Sequence, residues 1–178
     1  TVTATDGTGC TATNTVTVDV QNPVVNVSAT PTTICAGQST NLSADGGGTH
    51  VWQPGNLNGP NQTVSPATTT TYTVTRTNLL GCVVTNTITV TVNSAPAISA
   101  PNAQACWNTT TTLSASSATG VSFVWSPNTF LNNPNLQNPT FGIAPPGTYV
   151  YAVTVTDGAG CTASTNMQVS VPVVPNIT

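Results

Sequence analysis

Charge is what this sequence lacks most. Among 178 residues there is one Arg (Arg76), one His (His50) and no Lys, and the only acids are Asp6, Asp19, Asp45 and Asp157, with no Glu. A single cation cannot neutralise a run of phosphates, so a nucleic-acid-binding face is excluded. No basic patch exists to draw the chain to an anionic lipid surface, and no apolar run approaches the length of a membrane-spanning helix, so no membrane insertion is expected. With one His and no Cys-x-x-Cys spacing, a metal centre lacks ligands. The four Asp lie in separate turns, a strand end and a loop, which suggests no carboxylate pair, and no nucleophile-elbow motif supports a triad built on His50. Neither catalysis nor a cofactor is expected.

Thr, Ser, Asn, Val and Gly stand where the charges are missing. Thr and Val favour strands, and Asn, Gly and Pro mark turns. The helix formers Glu and Lys are absent, and no stretch keeps an i, i+3, i+4 apolar rhythm for three turns. The chain reads as all-β. Near-zero charge also favours self-association, because net charge is what keeps soluble chains apart.

The chain repeats itself. "TVTATDGTGCTATNTVTVDV" at the start returns as "VTRTNLLGCVVTNTITVTV" ending at Val92 and as "VTVTDGAGCTASTNMQVSV" ending at Val171. Each reads as strand, tight turn, strand. Anchored on Gly-Cys, the copies align Cys10, Cys82 and Cys161, with Asp6, Asn78 or Asp157 four residues earlier. Beyond the Cys, Val16/Ile88/Met167, Val18/Val90/Val169 and Val20/Val92/Val171 form a period-two apolar line, the signature of a strand with one buried face.

A second block precedes the two later hairpins. "ICAGQSTNLSA" and "ACWNTTTTLSA" set Cys35 and Cys106 each seven residues before a Leu, and a Trp-x-Pro follows at Trp52 and Trp125. Tyr72 and Tyr151 then enter the next-to-last strand. Six or seven short strands per repeat, an inward Trp on the third and a Tyr near the start of the sixth make an immunoglobulin-like β-sandwich pattern, with Trp52, Trp125, Tyr72 and Tyr151 in the cores. The repeat assigns residues 1–20 to the last two strands of a truncated domain, 23–95 and 96–171 to two domains, and 172–178 to the start of another. Pro-bearing junctions without a Gly/Ser spacer ("VDVQNPVVNV", "VTVNSAPAISA") suggest a stiff head-to-tail rod.

These motifs together resemble the PKD-like and Ig-like tandem repeats of large secreted surface proteins of the Bacteroidota, the adhesins of gliding motility among them. The resemblance covers essentially the whole chain. It implies an extracellular, cell-surface protein with a structural or adhesive role. Domain 96–171 departs from the pattern with Cys-Trp-Asn in place of Cys-Ala-Gly, so its first turn need not match.

Two cysteine pairings stand open. One is within domains, Cys35–Cys82 and Cys106–Cys161. Yet a first turn and a last hairpin lie at opposite ends of such a sandwich, roughly 20 Å apart along a six-residue strand, whereas disulfide Cα atoms lie within about 7 Å. The other is Cys35–Cys161, joining one domain's first turn to the next domain's last hairpin. In the first pairing Cys10 finds its partner in the missing part of its own domain, outside this chain segment; in the second, Cys10, Cys82 and Cys106 all pair with domains outside it.

The remaining candidates are weighed against plainer roles. Asp6-Gly7 and Asp157-Gly158 could ligate calcium, but Asp-Gly is a favoured hairpin turn and Asn78 replaces the acid in the middle copy. Trp107 has no counterpart in the preceding repeat and is expected either to pack at an interdomain or inter-chain interface or to stand as an exposed contact aromatic. Arg76 aligns with the apolar Val155 and Ala4, and is expected to bury its stem while its guanidinium reaches the rim. Asn26, Asn41, Asn61, Asn108 and Asn176 begin glycosylation sequons, about as many as chance allows here. The expected function is a non-catalytic repeat segment of an extracellular filament, stalk or adhesin, with neighbouring repeats or copies of itself as partners. The alternatives are a strand-exchanged pilus-like subunit, or a module whose loops "DGGGTH" and "NPNLQNP" bind a surface glycan.

Overall fold

The structure, a computed structural model, describes residues 1–18, 20 and 22–173. Asp19, the Asn176 sequon and most of 172–178 therefore lie outside the described residues. Among those described there is no helix. A first hairpin consists of β1 (Val2–Thr5) and β2 (Thr11–Asn14). Then follow β3 (Val27–Thr30), β4 (Thr33–Cys35), β5 (Thr40–Ala44), β6 (Thr49–Gln53), β7 (Leu57–Asn58), β8 (Asn61–Val64), β9 (Thr70–Thr77) and β10 (Val83–Asn93). The last group is β11 (Ala103–Gln104), β12 (Thr111–Thr112), β13 (Gly120–Ser126), β14 (Thr140–Phe141), β15 (Gly147–Asp157) and β16 (Thr162–Val171). The sheets run β4-β10-β9-β6-β7, β3-β5-β8, β11-β16-β15-β13 and β12-β14.

The stretch from 24 to 93 thus holds eight strands where six or seven were expected. The first expected strand is two, β3 in one sheet and β4 in the other. They part at Pro31, which has no N–H to continue a ladder. By compactness the chain divides into two units. The first comprises Thr1–Ser28, Leu42–Gln62 and Tyr72–Ile88; the second comprises Ala29–Asn41, Thr63–Thr71 and the chain from Thr89 on.

In the second unit, the sheet β11-β16-β15-β13 and the pair β12-β14 close over one core. Alternation along β15 turns Tyr151, Val153 and Val155 inward, β16 adds Met167, Val169 and Val171, and β13 adds Phe123 and Trp125. Leu113, Ala115 and Phe141 face them from the other layer. This is a β-sandwich, stabilised chiefly by apolar burial at roughly 25 cal/mol per Å². β15 and β16 pair antiparallel from Gly147↔Val171 to Thr156↔Thr162, and β11 runs parallel to β16 at its edge. The same parallel edge recurs where Thr33–Cys35 lies along Thr91–Asn93, with Ile34 buried.

In the first unit, β6 pairs antiparallel with β9 from Thr49↔Thr77 to Gln53↔Thr73, and Leu42, Ala44, Trp52, Tyr72 and Val74 are buried. Half-buried Arg76 ties three segments together: its Nε donates to the Gly47 carbonyl at 2.8 Å and its Nη1 to the Val24 carbonyl at 2.7 Å. Gly48 closes that loop at φ +106°, and a Cβ there would run into the Thr77 carbonyl oxygen, so only glycine fits.

The opening hairpin departs from expectation. β1 and β2 pair from Val2↔Asn14 to Thr5↔Thr11, but β2 stops at Asn14 and every residue of both strands is exposed. Val16 and Val18 are each 77% exposed and Val20 is 88% exposed, whereas their equivalents Val90, Met167, Val169 and Val171 are buried. Among the described residues β1 and β2 form a two-stranded sheet of their own.

Candidate functional site

The recurring cysteines sit on two kinds of turn. The hairpin tip is built the same way three times. At Asp157, Oδ1 accepts the backbone N–H groups of Ala159 and Cys161, both at 2.9 Å, while the Asp157 N–H donates to the Cys161 carbonyl. Asn78 Oδ1 accepts Leu80 and Cys82 N–H groups at 2.9 Å, and Asp6 Oδ1 accepts those of Thr8 and Cys10. A neutral amide does what two carboxylates do, which is turn chemistry. The glycine the tip needs is the one before the Cys: Gly9, Gly81 and Gly160 all have φ between +82° and +87°. That is the left-handed position closing a three-residue hairpin loop. Gly7 and Gly158 of the Asp-Gly pairs are not among the positive-φ residues, and Leu79 stands in their place in the middle copy. The Thr8 hydroxyl, the Cys10 N–H and the Thr8 N–H hold the Asp6 carboxyl below its ordinary value.

The first turn is also shared. The Cys35 carbonyl accepts the Gln38 N–H with Gly37 at φ +85°. The Cys106 carbonyl accepts the Thr109 N–H with Asn108 at φ +62°. The change from Ala-Gly to Trp-Asn therefore leaves the turn intact, because Asn tolerates the left-handed region better than other residues with a Cβ.

Of the two open pairings, the structure contains Cys35–Cys161, with Cα atoms 5.6 Å apart and a separation of 126 positions in sequence. The within-domain pairing is corrected: Cys82 and Cys106 are free thiols, as is Cys10. Both bonded cysteines belong to the second unit.

Trp52 and Trp125 are buried, each with its indole N–H bound, to the Gly59 carbonyl at 3.1 Å and the Leu136 carbonyl at 2.9 Å. Tyr151 is buried with its hydroxyl donating to the Thr129 carbonyl, and desolvation raises the pKa of both Tyr151 and Tyr72. Trp107 is 52% exposed. His50 is buried, its Nε2 against the Asp45 carbonyl at 3.0 Å and its Nδ1 without a partner among the described residues. No group of three His, Cys or acidic residues converges among the described residues. Asn26, Asn41, Asn61 and Asn108 are exposed, but the Asn26 amide nitrogen, the atom a glycan would take, donates to Asp45.

Both loops suggested for sugar binding are tied inward. Arg76 holds Gly47, and Asn138 Oδ1 and Gln137 Nε2 bond the Ala115 backbone. Two open clefts of the second unit share Ala97 and Ala118, one lined also by Ser99, Ser116 and Gln137, the other by Asn93, Thr119 and Asp157. Neither contains an aromatic ring on which a sugar could stack.

No protein-family model matches the chain, and no curated protein matches it. Among solved structures it is similar to a Ca2+-stabilized adhesin of an Antarctic bacterium that binds ice, at 20% identity and a TM-score of 0.48, over 97% of this chain and 55% of that one. It is also similar to the N-terminal eight Ig domains of Down Syndrome Cell Adhesion Molecule, at 13% identity and a TM-score of 0.41, over 84% and 25% of the two chains. A third likeness is to the fibronectin(III)-like modules of Clostridium thermocellum CbhA, at 12% identity and a TM-score of 0.35, over 83% and 94%. At these identities and scores no functional statement about this chain follows from the likenesses.

Proposed function

We propose that this chain is a non-catalytic repeat segment of an extracellular filament or surface stalk, built from repeats at 23–95 and 96–171 in the manner of large surface adhesins. The observation that carries the reading is the Cys35–Cys161 disulfide, which joins a first turn to a hairpin tip drawn from different copies of the repeat. Such a bond persists in an oxidising, extracellular compartment. It resists extension, and the backbone ladders and buried Trp and Tyr cores do the rest. The reading is tested by the mass of the native chain on a reducing, denaturing gel with peptide mapping across the band. A single chain many times the 18.0 kDa of this sequence is expected.

A second reading has an observation of its own. Val16, Val18 and Val20 are open to solvent where their equivalents are covered. In a strand-exchanged polymer a neighbouring copy would complete that face. A native band near 18.0 kDa would favour this reading over the long stalk. The glycan-binding alternative has the weakest support, since the clefts lack an aromatic platform and both suggested loops are braced from within.

A further inference from the structure

The two clefts and the two suggested loops have no aromatic platform, but another surface of the second unit does. After each Trp-x-Pro, one residue with a side chain takes a left-handed backbone directly before a Leu. In the first repeat it is Asn56, at φ +51° before Leu57; in the second it is Phe130, at φ +62° before Leu131. Asn tolerates that region, whereas a bulky residue there is an outlier held against strain. Phe130 is nonetheless 36% exposed, so burial of its ring does not explain the strain. The ring meets Tyr149 edge-to-face, with centroids 5.3 Å apart, and Phe141 likewise at 5.9 Å. Phe141 is fully buried and stacks in turn on the core residue Tyr151. Tyr149 is half-buried, and its hydroxyl donates to the Pro145 carbonyl at 2.8 Å. A strained backbone thus presents a ring at the surface, and a stack of three more rings fixes its orientation. Asn56, in the same place in the preceding repeat, is exposed although a further repeat follows it. The position therefore stays open within a run of repeats.

We propose that the Phe130–Tyr149 surface binds an uncharged sugar residue of a polysaccharide, with Phe130 stacking on the apolar C–H face of the pyranose ring. The patch is free of charge. Among the described residues of the second unit the only charged side chain is Asp157. It stands eight positions from Tyr149 on β15, roughly 26 Å along the strand. An ionic ligand has no partner there. The face of an aromatic ring carries the negative side of its quadrupole, which attracts the C–H groups of a sugar. Tyr149 Oη, its proton committed to the Pro145 carbonyl, can only accept a further hydrogen bond. A sugar hydroxyl can donate to it and a peptide carbonyl cannot, which favours a sugar over a Pro-rich peptide. Asn128 and Thr129, exposed beside Phe130 in the chain, offer an amide and a hydroxyl to other sugar hydroxyls. Such a contact goes beyond a stalk role by adding adhesion to one repeat, and it needs no particular length of native chain.

The test titrates the full 178-residue chain with cellohexaose, maltohexaose and mannohexaose while following its aromatic and amide NMR signals. At least one sugar should bind, with shifts centred on Phe130 and Tyr149 and an affinity indifferent to salt. The anionic hexagalacturonate should bind more weakly than that sugar. Phe130→Asn gives the left-handed position the residue that the preceding repeat has there. It should weaken binding about tenfold, as loss of a contact hot spot does, while the thermal midpoint holds or rises. Phe130→Tyr should keep the affinity, and Tyr149→Phe should lower it. Parent-like affinity in Phe130→Asn overturns the proposal, as do shifts confined to other surfaces or no binding of all three sugars. Binding of hexaproline at these rings without any sugar overturns it in favour of peptide docking. If Phe130→Asn unfolds the second unit, the ring is a cover for the core and the proposal fails.

Discussion

Asp45 is an acid in a chain that has few charges, and Arg76 is its one Arg. The Asn26 backbone N–H, then its side-chain amide, and more weakly the Arg76 charge hold the Asp45 carboxyl below its ordinary 3.8. Because the folded value lies below the unfolded one, the stability this acid contributes is complete above the unfolded value. It is lost as the pH falls through the folded one. The denaturation midpoint should therefore drop as the pH falls through 3.8 and below, and Asp45→Asn should flatten that drop. An equally steep fall in the variant would assign acid sensitivity elsewhere, Asp6 being, among the described residues, another acid with a lowered pKa. Arg76 illustrates a rim cation used for its donors: it bridges Gly47 and Val24 carbonyls from a position whose equivalent in the last repeat, Val155, is a core residue.

Among the elements, the hairpin tip separates shape from charge. Asp157 Oδ1 and Asn78 Oδ1 accept the same pair of N–H groups. Asp157→Asn should keep the Cys161 tip folded, and Asp157→Ala should cost about 1 kcal/mol, the net worth of such bonds. Thermal denaturation of the two variants decides it; equal losses would mean that the carboxylate acts through its charge. Strand length shows the same dependence on surroundings. β10 runs on to Asn93 and β16 to Val171 because each has an opposite layer to cover its apolar line, whereas β2, with the same alternation ahead of it, ends at Asn14.

For the molecule as a whole, the consequential bond is the one between Cys35 and Cys161. Closing a loop of 126 residues restricts the unfolded chain, and its removal should cost about 2–5 kcal/mol. Cys35→Ser with Cys161→Ser should lower the denaturant midpoint and expose new protease sites in the second unit. Reductant should do the same to the parent and nothing to the variant. A midpoint unchanged by reduction would leave the bond without a mechanical or stabilising role.

The all-β class was legible in composition, since a chain of Thr, Val, Asn and Gly without Glu or Lys has nothing with which to build helices. Turn positions were legible too, because an Asp or Asn four residues before a Cys and a Gly just before it form a tip from their own bonds. Such features are decided within about ten residues, the range over which one strand and its turn act. What only the tertiary structure decided depends on which distant segments meet. Spacing left two disulfide patterns open, and proximity in space selected Cys35–Cys161. The period-two line at Val16, Val18 and Val20 reads the same as the line ending at Val171, yet among the described residues one is exposed and the other buried. Gly48 gives no local sign that the Thr77 carbonyl lies against it. Periodicity states which face of a strand could be buried; whether another sheet covers that face is settled by the rest of the fold.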